Sequence, residues 1–475
     1  MAQSGKFTVP AIIDNKDVYF HASFPVRSPA SGDHLHDSTS ASVADVLNAV
    51  KSAQTAFHSW KKTKPTARRD IFLKAAQIIE KRGAELGKYV MDETAASEFW
   101  GAGFNVPLAA DMLKDVAGRI PSVQGSIPVP GAEGKSAMIW KEPYGVILGI
   151  APWNAPYILG FRAVVFALAV GNTVILKSSE ASPRSFWAIG DCFREAGLPD
   201  GVLNVFASKT SDAPAVTKAL IEDPRVKKIN FTGSTQVGKI IAELAGRNLK
   251  PVLLELGGKA PAIVWEDADL PSAAQACAMG AYLYGGQICM STERIIVHKN
   301  IAEAFEKEFI AAANGGWSDV QVLINEAGVK KNKLLLKDAV SKGAIILHGD
   351  LDAVEDATTK MKPIGIKGIR EGMDLYRTES FGPTVSFIVV DTEEEALRIA
   401  NDTEYGLSAA VFTEDLRRGL RFAKEIESGA VHINGMSVHD ESGLPHGGVK
   451  QSGYGRFGSM GMEEWVRTKT VTYKD

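Results

Sequence analysis

With 475 residues, 45% of them hydrophobic, the chain is globular and too long for one ordinary core, so two large domains plus smaller elements are expected. Its 53 basic and 56 acidic side chains leave a net charge of -3 with no long run of one sign, which argues against nucleic acid or an anionic membrane as partner. Three cysteines (Cys192, Cys277 and Cys289) without C-x-x-C spacing argue against a disulfide framework or a structural zinc site, and the nine histidines are scattered, so no metal is expected.

In chain order, residues 1–10 carry no charged segment followed by an apolar core, and the tail Val471 to Asp475 matches no ER or peroxisomal address, so a cytoplasmic protein is expected. Helical periodicity predicts helices over Ser42 to Trp60 and Thr66 to Leu86, with Ser42 and Thr66 as caps. Between Ile120 and Lys141 the pattern turns irregular around Pro121, Pro128, Pro130 and the turn Gly131 to Gly134, which predicts a protruding hairpin suited to subunit contact. The uncharged stretch Tyr144 to Phe161 is broken by Pro152, Asn154 and Pro156 and reads as buried sheet rather than a membrane span. Strands at Val146 to Ile150, Thr173 to Lys177 and Val202 to Val205 then alternate with helices at Phe161 to Ala169 and Ser182 to Ala196. This alternation predicts a doubly wound parallel sheet that binds a nucleotide at its carboxyl edge. A second alternating region starts near Ala260, with strands at Ala262 to Val264, Arg294 to Val297, Ala344 to Leu347 and Val385 to Val390, and helices at Ala273 to Tyr284 and Ala302 to Ala313.

Several motifs carry chemistry. Cys289 follows the small pair Gly285-Gly286, where a ligand can approach the backbone, and Glu255 sits in Leu-Leu-Glu-Leu-Gly-Gly, where desolvation is expected to raise its pKa toward neutrality. Asn154, after Ala151-Pro152-Trp153, offers an oxyanion donor, although an Asx-turn is the commoner fate of such a residue. Lys177 and Glu180 at the end of a strand can hold the hydroxyls of an adenosine ribose, with the carboxylate repelling a 2′-phosphate, or can form a plain surface ion pair. Phe231 to Lys239 satisfies G-x-x-x-x-G-K, but Ile240 stands where a P-loop needs Ser or Thr. Gly233 and Ser234 at a helix start still make a phosphate site without hydrolysis.

These segments, in this order, resemble the aldehyde dehydrogenase superfamily almost from end to end. Further landmarks are Arg27 to Gly32, Glu379-Ser380-Phe381-Gly382-Pro383, Asn401 to Leu407, Asn434 and Pro445 to Gly453. The resemblance implies an α/β fold of two doubly wound parallel-sheet domains with a small β oligomerisation element. It places an NAD-binding Rossmann-like domain at 1–124 and 144–256, a catalytic domain at 257–444, and the oligomerisation element at 125–143 and 460–475. It implies Cys289 as nucleophile, Glu255 as general base and Asn154 as oxyanion donor. For the cofactor it implies Trp153, Lys177, Glu180, Gly233, Ser234, Glu379 and Phe381, with NAD expected over NADP, and for the assembly a homodimer or homotetramer.

The stretches Glu98 to Val106 and Gln287 to Arg294, with Arg162, are similar to the salicylaldehyde and vanillin dehydrogenase branch. That implies an aromatic aldehyde, with Trp100, Tyr157 and Tyr284 as pocket walls and Arg162 bonding a ring hydroxyl or carboxylate. A medium-chain aliphatic aldehyde or a semialdehyde is the rival. A catalytically silent scaffold would be expected to lose Cys289 or Glu255, and a cofactor-independent thiol hydrolase has no use for Lys177, Glu180 and Glu379 together. Three departures stand out: a connection between Asn314 and Gly328 that looks shortened and is expected to lie far from the motifs, and the unusual Thr378 and His446.

Overall fold

Val146–Ile150 is buried along its whole length in the computed structural model, which describes residues 7–458 and 461–474. A strand without an exposed face needs cover on both sides. Val146, Leu148 and Ile150 enter one apolar cluster while Ile147 enters another, so the alternation of a strand separates two helical layers. Around it, Val252–Glu255, Val226–Thr232, Val146–Ile150, Thr173–Lys177 and Leu203–Phe206 lie in that order, all parallel. Ala11–Ile13 and Lys16–Val18 extend one edge antiparallel, and Gly453–Tyr454 closes the other. Chain order reverses between Val146–Ile150 and Val226–Thr232, so the carboxyl ends of these two strands flank the crevice where such sheets bind ligands.

The second sheet runs Ile345–His348, Ile364–Lys367, Thr384–Val390, Thr292–His298, Ala260–Val264, Ser408–Phe412, Ala430–Ile433, parallel except for its first strand. The expected α/β architecture is therefore present, with antiparallel edges on both sheets. Glu255 ends a strand of the first sheet, while Cys289 and Phe381 precede strands of the second. The carboxyl edge of one sheet thus meets the amino edge of the other.

Local expectations were met or altered for identifiable reasons. Ser42 caps Val43–Trp60 in a capping box with Asp45. Thr66, by contrast, lies inside Pro65–Lys81, because Pro65 takes the first helical position and Lys64 the cap, and a separate helix covers Gly83–Thr94. The helix expected at Phe161 to Ala169 is two, Pro156–Arg162 and Val165–Ala169, with the Asn230 amide donating to the Arg162 carbonyl at the break. The protruding segment is tied less to itself than to the far end of the chain: Lys135–Pro143 pairs antiparallel with Val466–Lys474 along its length, and its outgoing arm touches it through Ser126 and Ile139. Residues 1–6 of the expected dinucleotide-binding range, and residues 460 and 475 of the expected oligomerisation element, lie outside the described residues. Among the described residues no helix is long and apolar enough to cross a membrane.

Buried Asn172 fastens the C-terminal segment to the first sheet: its carbonyl accepts from Gly145 N (3.0 Å) and its amide donates to the carbonyls of Ala167 (3.1 Å) and Trp465 (2.8 Å). Asn172→Ala strands these buried groups, so the urea unfolding free energy is expected to fall by roughly 3 kcal/mol. A loss below about 1 kcal/mol would show that water replaces the amide.

Candidate active site

Helix Leu270–Tyr282 stops two residues short of the expectation because Tyr284, Gly285 and Gly286 all take left-handed backbone angles, with φ of 52°, 62° and 69°. At Gly286 only glycine fits, since a Cβ there would stand 2.0 Å from the Gly382 carbonyl oxygen. This reversal delivers Cys289 into a cavity of about 300 Å³ that is also lined by Trp153, Asn154, Gly233, Ser234, Glu379 and Phe381. Gln287 anchors the loop: its amide donates to the carbonyls of Tyr284 (3.1 Å) and Val322 (3.2 Å), and its side-chain oxygen accepts from Ile324 N (2.8 Å). The connection between Asn314 and Gly328, expected to be remote, is thereby part of the site, and Ile324, Asn325 and Gly328 line the cavity. It is also well structured, since helix Ala302–Gly316 continues through the glycine pair, Gln321–Val322 pairs with Lys360–Met361, and Asn325 caps Glu326–Ser341.

Cys289 Sγ lies 3.9 Å from Glu255 Oε1. The same oxygen meets His446 Nε2 at 3.1 Å, while Arg162 Nη1 donates to Oε2 at 3.3 Å. Burial pushes the Glu255 carboxyl up, but the charges of His446 and Arg162 and their hydrogen bonds outweigh it and hold the group at about 2. The expectation of a carboxyl raised toward neutrality is therefore corrected. Its neighbours in sequence are apolar, but its neighbours in space are cations. Burial, and then the charges of Glu255 and Glu379, raise the Cys289 thiol well above its ordinary range.

Arg162 is already paired with two carboxylates. Besides Glu255, its guanidinium donates to Asp440 Oδ2 at 2.5 Å and lies over the Phe457 ring at 5.2 Å. Tyr157 is likewise occupied, donating its hydroxyl to the Leu86 carbonyl (3.1 Å) in the helical core. Trp100 and Tyr284 lie beside Asn154 but do not line the cavity: their rings stack at 5.4 Å, and Trp100 Nε1 donates to the Asn154 carbonyl at 2.8 Å. Trp100 belongs to a π-helical turn, Phe99–Asn105, a distortion often found at functional sites. The Asn154 amide donates to the Gln287 carbonyl at 3.0 Å, which leaves its second hydrogen for an oxyanion.

Toward the first sheet, Ser234 caps helix Thr235–Arg247, and Gly233 N donates to the Glu255 carbonyl at 3.1 Å. Lys177 is buried, with its ammonium on the Ser178 carbonyl (3.3 Å), and burial lowers its pKa. Among the described residues the buried Ser178 hydroxyl has no partner. A buried cation, an unpaired hydroxyl and a helix N-terminus along one sheet edge fit a phosphorylated, hydroxyl-bearing ligand. Glu180 accepts from Thr210 at 3.4 Å. Glu379 accepts from Gly258 N at 2.8 Å, and burial together with the Glu293 charge pushes it up to about 7.

Sequence reasoning assigned no role to Glu293 or Lys259, which form a buried pair at 2.5 Å. Glu293 Oε1 also accepts from the backbone of Ser380 (2.7 Å) and Phe381 (3.2 Å), holding Phe381 at a φ of 49° with its ring edge-on to Trp153 at 6.0 Å. Asp440 and His446 were missed for the same reason: each acts through a partner far away in sequence. Only the oddity of His446 beside Pro445 was a signal. Among the described residues no group of His, Cys, Asp and Glu is arranged to hold a metal.

Gly258 packs against the backbone of Cys289, and a Cβ on it would stand 2.0 Å from the Cys289 carbonyl oxygen. Gly258→Ala must displace the Cys289 backbone, and turnover is expected to fall by about 10²-fold, the usual cost of an ångström of misplacement. Turnover close to native would mean the loop moves aside freely.

Residues 19–471 match the model of the aldehyde dehydrogenase family. Vanillin dehydrogenase of Pseudomonas sp. (strain HR199) is 44% identical over 99% of this chain and 98% of its own length. Salicylaldehyde dehydrogenase of Pseudomonas putida is 40% identical over 97% and 96%. The crystal structure of a salicylaldehyde dehydrogenase from Pseudomonas putida G7, complexed with salicylaldehyde, superposes with a TM-score of 0.95 at 36% identity, covering 98% of both chains. With Cys289 beside a buried carboxylate in a cavity at the seam of two parallel sheets, the chain belongs to the aldehyde dehydrogenase family and is an oxidoreductase acting on aldehydes with a nicotinamide dinucleotide.

Proposed function

We propose that the protein oxidises an uncharged aromatic aldehyde to its carboxylic acid with NAD, through a thioester on Cys289. Sγ lies 3.9 Å from Glu255 Oε1 in a cavity shared with Asn154, and this juxtaposition carries the reading. The thiolate adds to the carbonyl carbon, and the free Asn154 amide hydrogen and the Cys289 N–H stabilise the oxyanion. A bound nicotinamide supplies the hydride acceptor. Glu255 then takes a proton from the water that attacks the thioester.

Lys177 and Glu180 would hold the adenosine ribose, Gly233 and Ser234 the pyrophosphate, and Glu379 the nicotinamide ribose, with Trp153 and Phe381 walling the ring. Their positions support residues 1–124 and 144–256 as the dinucleotide-binding domain and 257–444 as the catalytic one. The half-exposed Glu180 carboxylate favours NAD, because a 2′-phosphate would meet its charge. Glu180→Ser should therefore raise kcat/KM with NADP relative to NAD by about tenfold, the worth of ~1.4 kcal/mol. An unchanged ratio would remove Glu180 from cofactor choice.

Stacked Trp100 and Tyr284 support an aromatic substrate, in agreement with the named activities of the vanillin and salicylaldehyde relatives. Succinate-semialdehyde dehydrogenases are also relatives, at 34% identity, but such a substrate brings a carboxylate. Arg162 is already neutralised by two carboxylates, which disfavours it. For assembly, the sheet of Lys135–Pro143 with Val466–Lys474 exposes Trp140 and Tyr473, and Ile127 and Val129 project beside it, which supports a homodimer or a tetramer of dimers.

NADH formation should be fastest with benzaldehyde, salicylaldehyde or vanillin, slower with hexanal, slowest with succinate semialdehyde, and abolished in Cys289→Ala. Preference for hexanal would discard the aromatic pocket and keep the chemistry. Turnover surviving in Cys289→Ala would discard the mechanism.

A further inference from the structure

Lys259 and Glu293 are 2% and 4% exposed and pair at 2.5 Å, close to where the chain crosses from Val252–Glu255 of the first sheet to Ala260–Val264 of the second. Each end of the pair also grips the backbone of one turn. Lys259 Nζ donates to the Thr378 carbonyl at 2.8 Å, while Glu293 Oε1 accepts from Ser380 N at 2.7 Å, Ser380 Oγ at 3.0 Å and Phe381 N at 3.2 Å. The residue between the two grips is Glu379. Its carboxylate accepts from Gly258 N at 2.8 Å, so the residue beside Lys259 fixes the side chain while Lys259 fixes the backbone. Asn332 closes the turn from the other side, donating to the Ser380 carbonyl at 3.1 Å.

A buried ion pair is often no more stabilising than apolar side chains of the same volume, because desolvating two charges offsets their attraction. Phe381, meanwhile, holds a left-handed φ of 49°, which a residue other than glycine keeps only where its surroundings enforce it. Here the enforcing contact runs from Phe381 N to Glu293. The pair thus directs its interactions to the shape of one turn, and that turn presents Glu379 and Phe381 to the cavity. Thr378 joins the clamp through its carbonyl alone, so its unusual and exposed side chain leaves the clamp intact.

We propose that Lys259 and Glu293 are positioning residues for the cofactor, their ion pair fixing the turn from Thr378 to Phe381 so that Glu379 and Phe381 meet the nicotinamide riboside half of NAD. The proposal rests on the reading above that Glu379 holds the nicotinamide ribose.

Two variants of the full chain test it. Lys259→Met/Glu293→Met removes both grips without leaving a lone buried charge. Glu293→Gln removes the charge but keeps an oxygen for Ser380 and Phe381, and Lys259, whose pKa burial already lowers, can then lose its proton. Fluorescence titration gives the NADH dissociation constant without turnover, and steady-state kinetics give KM for NAD and for benzaldehyde separately. The double variant is expected to bind NADH about tenfold more weakly, the worth of one hydrogen bond to a charged group, with KM for NAD rising in step and KM for benzaldehyde unchanged. Glu293→Gln should fall between it and the native protein. A merely structural role would lower the fraction of folded protein, not the affinity of the sites that remain. Native NADH affinity in either folded variant overturns the proposal. Glu379→Ala tests the ribose reading by itself: native affinity there sinks that reading and the proposal with it, whereas weakened binding there beside native affinity in the double variant sinks the proposal alone.

Discussion

The Glu255 carboxylate, buried where the two sheets meet, is the constraint on which the site depends. An ionised carboxylate in a dry interior is strongly destabilising unless paired and hydrogen-bonded. Here Arg162 and His446 supply both, and Asp440 in turn satisfies the second arm of Arg162. The first sheet contributes Glu255 at the end of Val252–Glu255 and Arg162 from the helix after Val146–Ile150, while the return of the chain after the second sheet brings Asp440 and His446. The ion network therefore joins the two sheets at the place where chemistry occurs. Removing any member leaves another charge buried and unpaired, so integrity of the seam and competence of the site are coupled.

Around that seam the environments differ by direction. Toward the first sheet the walls are backbone N–H groups, a helix N-terminus and the buried Lys177, suited to phosphate and ribose. Behind Asn154, the stacked rings of Trp100 and Tyr284 are buried outside the cavity lining, with their polar edges spent on the Asn154 and Thr94 carbonyls. Spending those edges internally leaves aromatic faces packed beside the Asn154 amide.

Much of this was legible from residues alone. The uncharged run through Val146–Ile150 announced a buried strand, Ser42 announced a helix start, and the small pair Gly285-Gly286 announced a close approach to the backbone before a thiol. What failed did so where long-range partners override local character. Glu255 looked like a desolvated carboxyl among leucines, yet two cations hold it low. Arg162 looked free for substrate but is paired with Glu255 and Asp440. Tyr157, expected as a pocket wall, gives its hydroxyl to Leu86 in the helical core. The connection between Asn314 and Gly328 looked remote because sequence distance was read as spatial distance, whereas Gln287 ties it to the nucleophile loop.

By itself the sequence determined the parallel α/β class, the positions of central strands in both sheets, and the family, because periodicity and close-packed glycines act over a few residues and leave local marks. The tertiary structure alone decided the protonation of Glu255, the commitment of Arg162 to two carboxylates, the pairing of Lys135–Pro143 with the distant Val466–Lys474, and the seat of His446 behind the base. Electrostatic energy falls with distance in space and is strengthened by burial, and neither quantity is written in the order of the residues.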